Sequence, residues 1–296
     1  MKEVPFSFIK ELIALGFSIE TETEIIRYVR RNLRRMDDLA RRAYEGEVTD
    51  FPICRLRPLG RLGVLIWKLT EIRRQYESTG VPAAVIDDTF SDIILRQKLF
   101  WQKNGRVGLS RTDCVWLRHL VNAKIFKLGV LQYQMFKMLY LEQGKGGSEM
   151  FMISETQKER LPAGVPVLNV HIQEGADLSP ELVAGSLQTA KEFFTRYFPV
   201  TQFKALICYS WLLHSGLKDL LPSDSRIIQF AKNFEVISQT NDDTQAIERI
   251  FGKRFRRKAD YPQETRLQRG ALRDRSKLGY ALGVIYLDQG GLNDVK

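Results

Sequence analysis

The first hundred residues space their apolar side chains by three and four. "FIKELIALGF" sets Phe8, Leu12 and Leu15 on one face and stops at Gly16, which predicts a helix. "TETEIIRYVRRNLRRMDDLARRAYEG" predicts one long helix, with Thr21 or Thr23 as its cap and Glu24 in the first turn. Its stripe is Ile26, Val29, Leu33, Met36, Leu39 and Ala43. "RLGVLIWKLTEIRRQYESTG" predicts a third helix ending at Gly80. "PAAVIDDTFSDIILRQKLFWQKNG" predicts two short helices or one broken one, with Pro82 near the start. No strand alternation competes, so a helical N-terminal domain is expected over residues 1–105.

From residue 106 onward the pattern changes. "SRTDCVWLRHLVNAKIF" predicts a helix capped by Ser110 or Thr112. "LGVLQYQMFKMLYL" alternates: Leu131, Tyr133 and Met135 take one face, Gln132, Gln134 and Phe136 the other. "EQGKGGSE" predicts a turn, with "MFMIS" as a returning strand. Its "GKGGS" lacks the spacing of a phosphate loop. "VPVLNVHI", "FKALICYS", "FEVIS" and "YALGVIYL" predict further strands. Between the first two lies the helix "ELVAGSLQTAKEFFTRYFP", with Ser179 as cap and Pro180 at the first helical position. The segments "GLKDLLPSDSRIIQFAKNF", "DTQAIERIFG" and "TRLQRGALRDRSKLG" predict helices between the later strands. Strands alternating with helices predict an α/β (α+β) domain over residues 106–296.

Composition narrows the function classes. Hydrophobic residues are 44% of the 296, enough for a packed core. No apolar run is long enough to span a membrane, and the N-terminus lacks a secretory pattern, so a cytoplasmic protein is expected. Cys54, Cys114 and Cys208 are scattered, as are His119, His171 and His214, so neither disulfides nor a metal site is expected. The net charge of +10 favours anionic partners. Its arginines fall in "RYVRRNLRRMDDLARR" and "GKRFRRKAD", interleaved with acids and without stacking aromatics. They read as solvated faces, and nucleic acid is not an expected partner.

The phrases "LNVHI", "CYSWLL" and "LLPSDS", together with "SLQTAKEFFTRYFP" and "IFG", occur in an order that resembles a bacterial family of GNAT-like acyltransferases. These have a helical N-terminal domain and a GNAT-like C-terminal domain. The resemblance implies a mixed sheet, flanked by helices, that opens between its fourth and fifth strands to hold an acyl-CoA thioester. "VPVLNVHI" would be the fourth strand and "FKALICYS" the fifth. It implies transfer of the acyl group to an amine acceptor, a small molecule or a peptide. His171 or Glu174 would be the base and Tyr209 the acid. Ile172, Gly175, Ser179 and Ser210 would contact the cofactor.

One loop departs from that family's pattern. "QEGADLSP" has one glycine and two carboxylates, Glu174 and Asp177, where a pyrophosphate loop carries several glycines. A second reading follows, a non-catalytic ligand- or partner-binding protein on a degenerate GNAT scaffold. Regular strand geometry puts Cys208 and Ser210 on one face and Tyr209 on the other, so the three cannot all serve one site.

Overall fold

The structure, a computed structural model, describes residues 3–46, 50–140 and 153–287. The chain folds as two compact units, Met1–Lys127 and Leu128–Lys296.

The first unit is built from helices α1 (Phe6–Leu15), α2 (Ile19–Asn32), α3 (Met36–Arg42), α4 (Pro58–Glu77), α5 (Ala83–Asn104) and α6 (Arg111–Val121). Helix α1 ends at Gly16, whose φ of 69° is the left-handed turn that a glycine adopts without strain. The long second helix expected from the stripe is in fact two. A 3-10 turn at Leu33–Arg35 separates α2 from α3, and Ser18, not Thr21 or Thr23, caps α2. The turn rotates the buried face, so Ile25, Val29, Met36 and Ala40 point inward. The arginines of this segment are exposed, and Arg41 and Arg42 pair with Asp38 and Glu45 along the helix. Helix α5, in contrast, runs unbroken through 22 residues.

Helix α4 is buried on nearly every side. Leu62, Val64, Leu65, Ile66, Leu69, Ile72 and Tyr76 are all inaccessible, as expected of a helix that others surround. Its glycines set how closely α2 approaches. A Cβ on Gly60 would stand 2.8 Å from the Tyr28 hydroxyl, and one on Gly63 2.9 Å from the Tyr28 ring. Polar ties join the helices. Arg73 of α4 meets Glu11 of α1 at 2.8 Å and Asp87 of α5 at 2.9 Å. Buried Asp92 of α5 accepts from Trp116 Nε1 of α6 at 2.8 Å and from Arg96 Nε at 3.0 Å. Arg96 also reaches Asp113, which completes the Ser110 capping box at the start of α6.

Strand β1 (Ile125–Leu128) spans the boundary, and the second unit carries β2 (Leu131–Lys137), α7 (Glu155–Arg160), β3 (Pro166–Ile172), α8 (Pro180–Tyr197), β4 (Ala205–Ser210), α9 (Leu217–Leu220), α10 (Arg226–Ala231), β5 (Glu235–Thr240), α11 (Thr244–Phe251), α12 (Arg266–Arg273) and β6 (Tyr280–Tyr286). Strand β1 begins inside the segment that reads as helix in sequence, because α6 stops at Val121. The expected turn at "EQGKGGSE" lies outside the described residues, as does most of the strand expected at "MFMIS". Ser154 at the end of that segment instead caps α7.

The sheet order is β1-β2-β3-β4-β6-β5. Strands β3 and β4 run parallel, whereas β2–β3, β4–β6 and β5–β6 are antiparallel. Helix α8 meets one face through Ser186, whose hydroxyl lies 2.9 Å from the Tyr133 hydroxyl and also donates to the Leu128 carbonyl. The other face buries Met138, Leu161, Val167, Ala205, Ile207, Leu282 and Val284. Helices α9 to α12 enclose a separate cluster that includes Leu217, Ile247, Phe251 and Leu272, with Trp211 packed against it.

Two outcomes follow for the helical unit. Asp92→Ala strips buried partners from Arg96 and Trp116 and should cost roughly 3–5 kcal/mol, read from the denaturant midpoint. His119 is the second. Burial, with Arg118 and Lys124 nearby, pulls its imidazole down to about 4. The folded value lies below the unfolded one. The contribution is therefore present above about pH 6.5 and lost as pH falls through about 4. His119→Gln should flatten the stability curve in that window, by up to about 1.4 kcal/mol per pH unit.

Candidate active site

The parallel pairing of β3 with β4 is short. Its register holds Leu168 against Leu206 and Asn169 against Ile207, and goes no further. Beyond it, β3 stays with β2 as far as Ile172 opposite Leu131, and β4 stays with β6 as far as Ser210 opposite Ala281. The sheet therefore divides into two wings at Asn169 and Ile207. The residues past the division, Val170–Ile172 and Cys208–Ser210, keep a ladder on their outer sides only.

Alternation decides which side chains share a face. Val167, Asn169 and His171 point the same way on β3, and Val167 packs with Ala205, Ile207 and Tyr209 of β4. On β2, Gln132 and Gln134 sit opposite His171 and Asn169 and so join the same face. One side of the divided sheet thus carries three carboxamides, an imidazole and a phenol. Cys208 and Ser210 take the opposite face. Tyr209 therefore lies on the same face as the His171 row, packed against the apolar cluster there.

The hydrogen bonds give these groups roles. His171 Nε2 lies 2.8 Å from Gln134 Oε1. A carboxamide oxygen only accepts, so Nε2 carries the proton and the basic lone pair belongs to Nδ1. The Tyr209 hydroxyl donates to the Leu139 carbonyl at 3.2 Å. Burial, with the neighbouring Tyr140 phenol, pushes Tyr209 up to about 12, so it holds its proton throughout the neutral range. Gln132 and Gln134 are 1% and 5% exposed, and Asn169 is 8%. The Asn169 Oδ1 atom is buried with no hydrogen-bond partner.

The other residues singled out in the sequence lie elsewhere. Glu174 is exposed in the loop after β3 and pairs with Arg249 of α11 at 3.5 Å. Asp177 in the same loop pairs with Arg226 of α10 at 2.9 Å and accepts the Ser179 N–H at 2.9 Å. Each loop carboxylate is thus matched by a guanidinium. Gly175 has a φ of 78°, which makes the turn between them. Ile172 ends β3, and Ser179 occupies the N-cap position of α8 without a side-chain cap bond. The Ser210 hydroxyl accepts the Leu212 N–H at 3.1 Å and stabilises the bend after β4. Cys208 is inaccessible, and burial raises its thiol, so it stays protonated and unreactive. The carboxamides Gln132, Gln134 and Asn169 join this face although the sequence reading did not single them out. The signal was present: Asn169 and His171 are two apart on one strand, and the two glutamines share the polar face of another.

Two surface hollows lie away from this row. One, of about 250 Å³, is lined by Asp219, Leu220, Gly270 and three arginines of α12. The other, of about 170 Å³, lies among Arg35, Arg42 and Pro52 of the helical unit. No group of three metal-binding side chains converges among the described residues, and no described helix is long and apolar enough to cross a membrane.

A mixed sheet that parts between two parallel neighbours, with a long helix entered from the loop beyond the first, defines a GNAT-like α/β domain. The chain belongs to the family described as GNAT-like C-terminal domain, whose model matches residues 125–285, more than half its length. It is also similar in fold to solved acyltransferases. One, in complex with decanoyl-CoA and teicoplanin, has a TM-score of 0.72 and 18% identity over 97% of this chain and 90% of that one. A second, in complex with decanoyl-CoA, has a TM-score of 0.70 and 23% identity over 95% and 87%. A mutant acyltransferase in complex with octanoyl-CoA has a TM-score of 0.64 and 20% identity over 97% and 85%. No curated protein matches the chain in sequence.

The His171 tautomer gives this arrangement a direct test. Imidazole ¹⁵N shifts should place the neutral ring's proton on Nε2, and Gln134→Leu should produce a mixture of tautomers. A wild-type ring protonated on Nδ1 would contradict the assignment.

Proposed function

We propose that the protein is an acyl-CoA-dependent N-acyltransferase. The observation that carries this reading is the division of the sheet at Asn169 and Ile207, with His171 and Tyr209 on one face of its two wings. Past the division, each strand has an inner edge of backbone groups that are not laddered to the other. An extended thioester arm fits such a gap as a substitute strand. The fold neighbours solved with decanoyl-CoA and octanoyl-CoA support the same co-substrate, and teicoplanin in one of them supports a small-molecule acceptor.

The chemistry follows from the two side chains. An amine attacks the thioester carbonyl, forming a C–N bond as the C–S bond breaks. His171 Nδ1 accepts the amine proton. Tyr209, at about 12, is a far weaker acid than an ordinary thiol at about 8.5, so full transfer of its proton to the departing sulfur is uphill. It serves as a hydrogen-bond donor that steadies the thiolate, turning from Leu139 to do so. Glu174, paired to Arg249 in the loop, is the weaker candidate for the base.

The loop supports the same reading once its charges are counted in pairs. Arg226 and Arg249 stand beside Asp177 and Glu174, so the entrance to α8 is not a net acidic site. The two carboxylates nonetheless favour a second reading, in which the scaffold binds a ligand or a partner without transfer.

Calorimetric titration with acetyl-, octanoyl- and decanoyl-CoA tests the first reading, and absence of binding across the series would remove it. With an amine acceptor found by thiol release, His171→Ala should lower kcat about 10²–10⁴-fold, and Tyr209→Phe should lower it by a smaller factor. Undiminished function in the folded double variant would decide for the non-catalytic reading.

A further inference from the structure

Asn169 stands at the vertex of the divided sheet, and one of its atoms has nothing to bond. Its side chain is 8% exposed, and its Oδ1 has no donor. A buried carbonyl oxygen left without a partner loses its hydration and regains nothing. Such a group is costly, which is why buried polar atoms in folded proteins nearly always have partners. Its neighbours do not resolve the deficit. Gln134, directly opposite on β2, directs its own oxygen to His171, and Ile207, directly opposite on β4, has no polar side chain. Leucine or valine would fill this place on the strand at no such cost, as Val167 does two residues earlier on the same face.

We infer that Asn169 Oδ1 is a ligand-binding atom, which accepts an amide N–H from the extended arm of acyl-CoA lying between β3 and β4. This rests on the acyl-CoA reading and deepens it. Three features point to that donor. The missing partner is a hydrogen-bond donor, because the orphan is an oxygen. Asn169 is the last residue of β3 paired with β4, so a chain entering the gap meets it at the point of closure. The pantetheine arm is an extended chain with two secondary amides, each offering one N–H. Asn169 is then a specificity residue for the arm, separate from the His171 and Tyr209 that act on the thioester.

The test compares decanoyl-CoA with two analogues, each having one arm amide replaced by an ester, on wild-type protein and on Asn169→Leu and Asn169→Asp. Wild type should bind decanoyl-CoA, and one ester analogue should bind it about tenfold more weakly. Asn169→Leu should lose the same factor for decanoyl-CoA and no further factor for that analogue, with an unliganded Tm at or above that of wild type. Asn169→Asp keeps an accepting oxygen and should retain most of the affinity. Equal binding of decanoyl-CoA by wild type and Asn169→Leu would overturn the assignment. So would losses from variant and analogue that simply add. If Asn169→Leu does not fold, wild type binding both analogues as tightly as decanoyl-CoA overturns it by itself. Failure of wild type to bind decanoyl-CoA is a different result, which removes the acyl-CoA reading.

Discussion

Two residue pairs hold the two halves of the sheet together as parallel strands, Leu168 with Leu206 and Asn169 with Ile207. The candidate site of the second unit depends on how soon that pairing stops. Each strand keeps a full antiparallel partner on its other side, so the sheet tolerates the opening without losing its outer ladders. Up to the division, Val167, Ala205, Ile207 and Val284 make an apolar face that anchors both wings. At the division Gln134 faces Asn169, and above it the same face carries Gln132, His171 and Tyr209, so polar side chains join the apolar ones.

That change of character explains the division of labour among the polar groups. Gln134 holds the His171 tautomer, with the proton on Nε2. Burial keeps Tyr209 protonated and suits it to donating a hydrogen bond rather than a proton. Asn169 sits between the dry and polar regions with its oxygen unmet. The pairs Glu174–Arg249 and Asp177–Arg226 lie in the loop beyond β3, exposed to solvent. Surface pairs of this kind contribute little to stability, so their bearing on the site is electrostatic.

Much of the architecture was legible because periodicity reports burial. The apolar run of α4, the strands "VLNVHI" and "ALICYS", and the capped helix between them announce themselves in the residues. The failures have local causes. The 3-10 turn at Leu33–Arg35 leaves a three-and-four spacing intact while rotating it, so the stripe read as one helix. Strand β1 is only four residues long and follows a helix closely, too short for alternation to register. His171 and Tyr209 were visible as chemistry at strand ends. Gln134 and Asn169 were not, because amides in a strand look like ordinary polar filling until a neighbouring strand shows what they face.

The sequence by itself determined the helical first half, the α/β second half, and the fact that Tyr209 cannot share a face with Cys208 and Ser210, since alternation along one strand needs only local geometry. Which of those faces carries the candidate site was legible only in the tertiary structure. That depends on register between strands about forty residues apart, and on where the β3–β4 ladder ends. The same holds for the two loop carboxylates. Read along the chain they are unopposed negative charge. Folded, they meet Arg226 and Arg249, brought from helices that lie far along the chain.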